Sequence, residues 1–214
     1  MQSVALIDYG SGNLRSAEKA LQRAAASLAT SMRIVTTGDA DEIARADRIV
    51  LPGVGAFAAC MAALAARDGV VEAMTEAVRR RGAPFFGICV GMQLLASRGL
   101  EFGETAGLGW IAGEVRRLDP ADPACKVPHM GWNALEIADG AAVLACLPQG
   151  AHMYFTHSFA LFPADETDVS AWTDHGGRFP AAVERGNLAG SQFHPEKSQA
   201  QGARLLAGFL AWRP

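Results

Sequence analysis

The chain has 214 residues, enough for a sizeable core; half are apolar and 19% charged, which excludes a disordered or low-complexity protein. A formal net charge of −3 gives no electrostatic footprint for nucleic acid or an anionic membrane surface, leaving small molecules or proteins as partners. No apolar run reaches the roughly 18 residues a membrane span needs, and Cys60, Cys89, Cys125 and Cys146 lack the paired spacing of a disulfide framework or zinc knuckle.

The N-terminus has no basic segment and meets Asp8 after a short apolar run, so Val4–Ile7 reads as a first strand rather than a secretory signal. Asp8-Tyr9-Gly10-Ser11-Gly12 is a turn cluster. Beyond it Leu14, Ala17, Leu21, Ala24 and Leu28 recur at helical spacing. Arg33–Thr36 and Arg48–Leu51 read as strands flanking a short helix over Asp39–Ala46. Gly69–Arg81 is helical, with Gly82 as its stop. Pro84–Ile88 is a compact apolar strand, and Gly91–Ser97 opens another helix. Short apolar strands alternating with helices predict a mostly parallel sheet covered on both faces, hence an α/β three-layer domain. The second half changes character. Trp110–Leu118, Asn133–Ile137, Met153–Leu161, Val169–Thr173, Pro180–Glu184 and Leu188–Gln192 are strand candidates, with a hairpin turn at His175-Gly176-Gly177-Arg178. They predict a smaller antiparallel portion before a final helix over about Ala200–Trp212. With no repeat, linker or composition break, residues 1–214 read as one domain, and a cytoplasmic, metal-free protein with reduced thiols is expected.

The sharpest chemical signal is Phe85-Phe86-Gly87-Ile88-Cys89-Val90-Gly91-Met92-Gln93. A Gly-x-Cys-x-Gly at a strand-to-helix junction has the form of a nucleophile elbow with cysteine in place of serine. The glycines permit the sharp turn, and a helix N-terminus favours a thiolate. The same residues also fit a structural cysteine between packing glycines. A cysteine nucleophile needs a base, and the base an orienting group. Gln192-Phe193-His194-Pro195-Glu196 supplies both: Pro195 keeps His194 extended, and residues i and i+2 of an extended chain share a side. Alone, this string is also compatible with a surface turn. Ile49-Val50-Leu51-Pro52-Gly53-Val54-Gly55 runs a strand into a glycine-flanked loop, which can aim N–H groups at an oxyanion or form a plain βα turn. Gly10-Ser11-Gly12-Asn13 lacks the third glycine of a dinucleotide fingerprint, so no nucleotide cofactor is expected.

In this order, Pro52-Gly53-Val54-Gly55, Gly87-Ile88-Cys89-Val90-Gly91-Met92-Gln93 and His194-Pro195-Glu196 resemble the class I, or triad, glutamine amidotransferases. Four more strings are similar to the branch that forms the glutaminase subunit of imidazole glycerol phosphate synthase in histidine biosynthesis. They are Asp8-Tyr9-Gly10-Ser11-Gly12-Asn13-Leu14, Lys126-Val127-Pro128-His129-Met130-Gly131-Trp132-Asn133, Tyr154-Phe155-Thr156-His157-Ser158 and His194-Pro195-Glu196-Lys197-Ser198-Gln199. The resemblance implies that Cys89 attacks the glutamine amide, that His194 moves the protons and that Glu196 orients His194. It implies oxyanion contacts from the N–H of Val54, once its peptide is turned, and of Val90. Gly53, Gly55, Gln93, His157 and Ser158 would hold glutamine. The implied partner is a (β/α)8-barrel cyclase on a separate polypeptide, faced by Asn13, Met130, Trp132, Tyr154 and Lys197. Ammonia passed to it would yield imidazole glycerol phosphate and aminoimidazole carboxamide ribotide. No cofactor is implied.

Val90 stands where this family commonly has leucine, which leaves the backbone donor intact, and Ala24–Met32 is longer than usual. Two other readings keep a place. One is a triad amidotransferase with another acceptor, such as aminodeoxychorismate or pyridoxal phosphate synthesis. The other is a non-catalytic amidotransferase-like binding subunit.

Overall fold

A computed structural model describes residues 1–214. The first half runs β1 (Gln2–Ile7), α1 (Leu14–Ala26), β2 (Met32–Thr37), α2 (Ala40–Arg45), β3 (Arg48–Gly53), α3 (Phe57–Ala65), α4 (Val70–Thr75), β4 (Phe85–Cys89) and α5 (Val90–Gln93). The second half adds β5 (Arg98–Gly99), β6 (Thr105–Ala106), β7 (Gly113–Arg117), β8 (His129–Ala134), β9 (Glu136–Ile137), β10 (His152–His157) and β11 (Phe159–Pro163). It finishes with β12 (Val169–Asp174), β13 (Arg178–Arg185), β14 (Leu188–Ser191) and α6 (Gln199–Ala211). The central eight-stranded sheet has the order β2-β1-β3-β4-β14-β13-β12-β9. From β2 to β14 every pairing is parallel, and from β14 to β9 every pairing is antiparallel. The sheet is therefore mostly parallel at the end built by the first half and antiparallel at the other, as the change in sequence character predicts. A four-stranded sheet, β11-β7-β5-β6, antiparallel except for the parallel β5-β7 pairing, and the antiparallel β8-β10 pair complete the second half.

From β1 the chain crosses to β2 in one direction and returns past it to β3, so right-handed crossovers place α1 and α2 on opposite faces. Helix α6 packs against α1, while α3 and α4 join α2. The strands β3 and β4 are buried at every residue, which explains their unbroken apolar runs. One cluster of 57 buried apolar residues extends from Val4 to Trp212.

Several elements differ from the sequence reading. Helix α3 carried no signal because Phe57–Ala65 is apolar all round and so shows no helical stripe. The Gly69–Arg81 helix begins after Gly69 in a left-handed conformation and changes to a π-turn over Glu76–Arg80. The helix expected over Gly91–Ser97 lasts only from Val90 to Gln93. Beyond it the carbonyls of Leu94, Leu95 and Ala96 accept N–H bonds from Leu108, Trp110, Ile111 and Gly109, so they are captured by a neighbouring segment. Met153–Leu161 is two strands in different sheets, broken at Ser158, and Asn133–Ile137 likewise divides between β8 and β9. Of Trp110–Leu118 only Gly113–Arg117 is strand.

The elbow rests on glycine. A β-carbon on Gly91 would overlap the Leu51 carbonyl oxygen, and one on Gly87 would meet the backbone of Gly91 and Met92. Helix α5 can approach β3 and β4 this closely only without side chains at those two positions. Gly91→Ala is expected to lower the unfolding free energy by at least about 3 kcal/mol, read from urea denaturation, because only backbone could move aside.

Candidate active site

The parallel strands β3, β4 and β14 are neighbours, with Gly53 paired to Cys89 and Ser191 paired to Ile88. Their carboxyl ends open at one edge of the sheet, where open α/β sheets commonly bind ligands. Cys89 ends β4 with φ 55° and ψ −112°. A non-glycine residue in this sparsely populated region costs about 1–3 kcal/mol, held here by the sheet on one side and α5 on the other. The four-residue α5 contributes mainly the free N–H groups of its first turn, that of Val90 included.

Chain leaving β14 brings in His194, whose backbone N–H donates to the Tyr154 carbonyl at 2.9 Å. Ser198 closes a second clamp: its hydroxyl donates to the His194 carbonyl at 2.6 Å and accepts from the Tyr154 N–H at 3.0 Å. His194 is extended as Pro195 requires, but Pro195–Lys197 then forms a 3-10 turn. Through that turn Nδ1 of His194 and Oε1 of Glu196 lie 2.8 Å apart, with both side chains almost wholly buried. Burial opposes charge on His194, yet the nearby Cys89 and the hydrogen-bonded Glu196 outweigh it and lift the imidazole to about 9. Nε2, the nitrogen left for Cys89, is buried and has no well-aligned partner, so the contact with the thiol is near but not closed. Such bonds commonly tighten only when substrate is bound.

A cavity of about 310 Å³ adjoins these groups, lined in part by Val54, Gly55, Gln93, His157, Ser158 and Lys197. Gly55 has φ 109°, a conformation that favours glycine, so the loop after β3 is turned by it. Gly53 sits under Tyr9, whose hydroxyl donates to the Pro52 carbonyl at 2.9 Å. Residue Val54 is held by Ser11: the hydroxyl accepts from the Val54 N–H at 3.3 Å and donates to the Val54 carbonyl at 2.8 Å. The Cys60 thiol donates to the same carbonyl at 3.4 Å. The Val54 N–H is thus occupied and has not been turned toward the cavity.

Another group of residues lies together on the surface. Trp132 on β8 pairs with Tyr154 on β10, their rings edge to face at 5.8 Å, and Lys197 Nζ lies 5.9 Å from the Tyr154 ring centre. Met130 and Trp132 are exposed by 64% and 47%, so they stand outside the core despite being large and apolar. Asn13 is exposed and caps α1 by accepting the Ser16 N–H at 3.4 Å. Sequence reasoning passed over Ser11, Gln192, His129 and Asn133. The motifs contain all four, but their partners lie far away in the chain and carry no local signal.

The class-I glutamine amidotransferase family model matches residues 5–211. The chain belongs to that family. As a glutamine amidotransferase it is similar over full length to proteins named imidazole glycerol phosphate synthase subunit HisH. The one from Caulobacter vibrioides is 62% identical over 214 residues, covering all of both chains. The one from Rhodospirillum rubrum is 56% identical over 212 residues, 99% of each. Among solved structures, a crystal structure of a glutamine amidotransferase aligns with TM-score 0.70 at 22% identity, over 97% of this chain and 96% of that one. A glutamine amidotransferase from Thermotoga maritima aligns with TM-score 0.58 at 15% identity, over 91% and 76%. The last two establish the amidotransferase fold alone.

The raised His194 has a consequence for stability. Its folded value near 9 exceeds the ordinary 6.5, so the imidazolium stabilises the fold fully below about pH 6.5 and loses that effect as pH rises through 9. Glu196→Gln removes one of the groups that raise it. The thermal midpoint of the native chain is expected to fall between pH 6.5 and 9, and that of Glu196→Gln to fall less; equal slopes would contradict the pairing.

Proposed function

We propose that the chain is the glutaminase subunit of imidazole glycerol phosphate synthase, one domain over residues 1–214 acting through Cys89, His194 and Glu196. The chemistry rests on the placing of Cys89, at the end of β4, beside a buried His194–Glu196 pair. The full-length likeness to the Caulobacter and Rhodospirillum subunits narrows the acceptor.

In this reading glutamine enters the cavity with its side-chain amide against Cys89. Gln93 uses its Nε2 protons on the Phe159 carbonyl at 2.8 Å and on Gln192 Oε1 at 2.9 Å. Its remaining polar atom, Oε1, is an acceptor suited to the α-ammonium of the substrate. The thiolate of Cys89 attacks the amide carbon, and the oxyanion that forms is met by the Val90 N–H. The Val54 N–H joins it once the Gly53–Val54 peptide leaves Ser11. His194 gives its proton to the departing nitrogen, ammonia leaves and a glutamyl thioester remains. Water deprotonated by His194 then attacks the thioester, releasing glutamate and returning the thiolate. Gly53 and Gly55 shape the loop, while His157 and Ser158 present backbone to the amino-acid end of glutamine.

Ammonia is passed to a (β/α)8-barrel cyclase, which docks on Asn13, Met130, Trp132, Tyr154 and Lys197. An apolar pair of this size exposed beside a tyrosine suits a protein interface better than solvent. No helix is long and apolar enough to cross a membrane, and four unpaired cysteines suit the reducing cytoplasm in which we place the complex.

Two experiments test this. Glutamate release by the purified chain is expected to be low alone, and to rise strongly with the cyclase and its nucleotide substrate. Cys89→Ala should abolish it. Hydrolysis dependent on Cys89 but indifferent to the cyclase would point to another acceptor, and turnover surviving in Cys89→Ala would favour a binding subunit. For the interface, Trp132→Ala is expected to weaken cyclase binding by about tenfold or more in calorimetric titration while moving the melting temperature little. A large drop in melting temperature at unchanged affinity would put Trp132 to work in the fold instead.

A further inference from the structure

Gln192 precedes the His-Pro-Glu turn and is fully buried, with its backbone N–H donated to Ala181 on β13 at 2.8 Å. Its side chain lies between Gln93 and the nucleophile: Oε1 accepts from Gln93 Nε2, and Nε2 lies 3.6 Å from Cys89 Sγ. Which end of an amide faces a neighbour is settled by following the hydrogen bonds to groups that have only one role. The Phe159 carbonyl is such a group, because it can only accept. Gln93 must therefore present its NH₂ there, and the same NH₂ faces Gln192, which must answer with Oε1. The NH₂ of Gln192 is left facing sulfur.

The Phe159 carbonyl is itself fixed from the other side. His157 Nδ1 lies 2.9 Å from it and must be the protonated nitrogen. Nε2 of His157 then accepts from His129 Nδ1 at 3.2 Å, and His129 Nε2 faces the Asn133 amide at 3.4 Å. Asn133 is fixed in turn by donating to the Asp174 carbonyl at 2.7 Å. Burial holds His157 and His129 neutral, at about 3 and about 4, so the chain keeps these tautomers at neutral pH.

We propose that Gln192 is a hydrogen-bond donor to Cys89, its amide held with the NH₂ on sulfur by Gln93, Phe159 and the His157–His129–Asn133 chain behind them. The proposal rests on Cys89 being the nucleophile. A donor at this place favours the thiolate twice, before attack on glutamine and when water expels sulfur from the thioester. The charged or titratable groups around Cys89 are His194 with Glu196 behind it, Tyr9, and Glu101, His157 and Lys197 around the cavity. None of them makes a hydrogen bond to Cys89 Sγ: the Tyr9 hydroxyl is given to Pro52 and the His157 Nδ1–H to Phe159.

The test uses the full chain, native and as Gln192→Leu and the nearly isosteric Gln192→Glu. Iodoacetamide modification of Cys89 is followed by mass spectrometry of its peptide across pH, and glutaminase is assayed with the cyclase present. Loss of a hydrogen bond to a charged group should move the midpoint of the Cys89 profile up by about one unit. It should lower kcat about tenfold with KM for glutamine little changed. A role in packing alone would shift the melting temperature and leave the profile in place. Profiles that superimpose on the native one overturn the assignment of Gln192. Absence of Cys89-dependent hydrolysis in the native chain overturns the reading beneath it.

Discussion

At the base of the site backbone lies directly on backbone, Gly91 against the Leu51 carbonyl and Gly87 against Gly91, with no room for a β-carbon at either. No side chain fits between helix α5 and the strands below it, so the turn at Cys89 has nowhere to relax. That constraint holds a non-glycine residue at φ 55° and points the thiol out of the sheet edge. The cavity, the His194–Glu196 pair and the loop after β3 are all arranged around a sulfur fixed in this way.

On one side of the sulfur a chain of polar groups is oriented link by link. Backbone carbonyls at Asp174 and Phe159, which can only accept, set the orientation of Asn133, His129, His157, Gln93 and Gln192 in turn. Such a chain is rigid because reversing one amide sets donor against donor or acceptor against acceptor in a medium of low dielectric. The contrast is at Val54, whose N–H rests on the Ser11 hydroxyl at 3.3 Å beside a glycine with φ 109°. One long hydrogen bond from an N–H to a hydroxyl is easily exchanged, and Gly55 removes the steric obstacle to turning. A rigidly held Cys89 and a loosely held Val54 thus sit side by side at the ends of neighbouring strands, Val54 following the Gly53 that pairs with Cys89.

Strand β10 ties the site to the surface. The backbone of Tyr154 holds His194 directly and through Ser198, while its ring meets Trp132 and Lys197 outside. The neighbouring strand β8 exposes Met130 and Trp132 on one side and carries His129 inward, toward the network that ends at Cys89. Any molecule docked on Trp132 therefore touches the same two strands that position His194 and His157.

The sequence by itself determined the alternation of parallel strands and helices, the elbow at Cys89 and the His194–Glu196 string. Each of these is local: a buried strand writes itself as an apolar run, an elbow as flanking glycines, and an orienting pair as residues two apart. It did not reveal helix α3, where Phe57–Ala65 has no polar face to mark a period. Nor did it show that α5 stops at Gln93, since the carbonyls beyond are taken by residues 107–111. The breaks at Ser158 and Leu135 were equally hidden, because a strand that changes sheets keeps its strand-like composition. Only the tertiary structure decided that Ser11 occupies Val54, that Gln192 turns its NH₂ to sulfur, and that His129 stands behind His157. Those contacts join residues 28 to 103 positions apart, and a hydrogen bond between distant residues leaves no periodicity, spacing or composition in the chain for a reader to find.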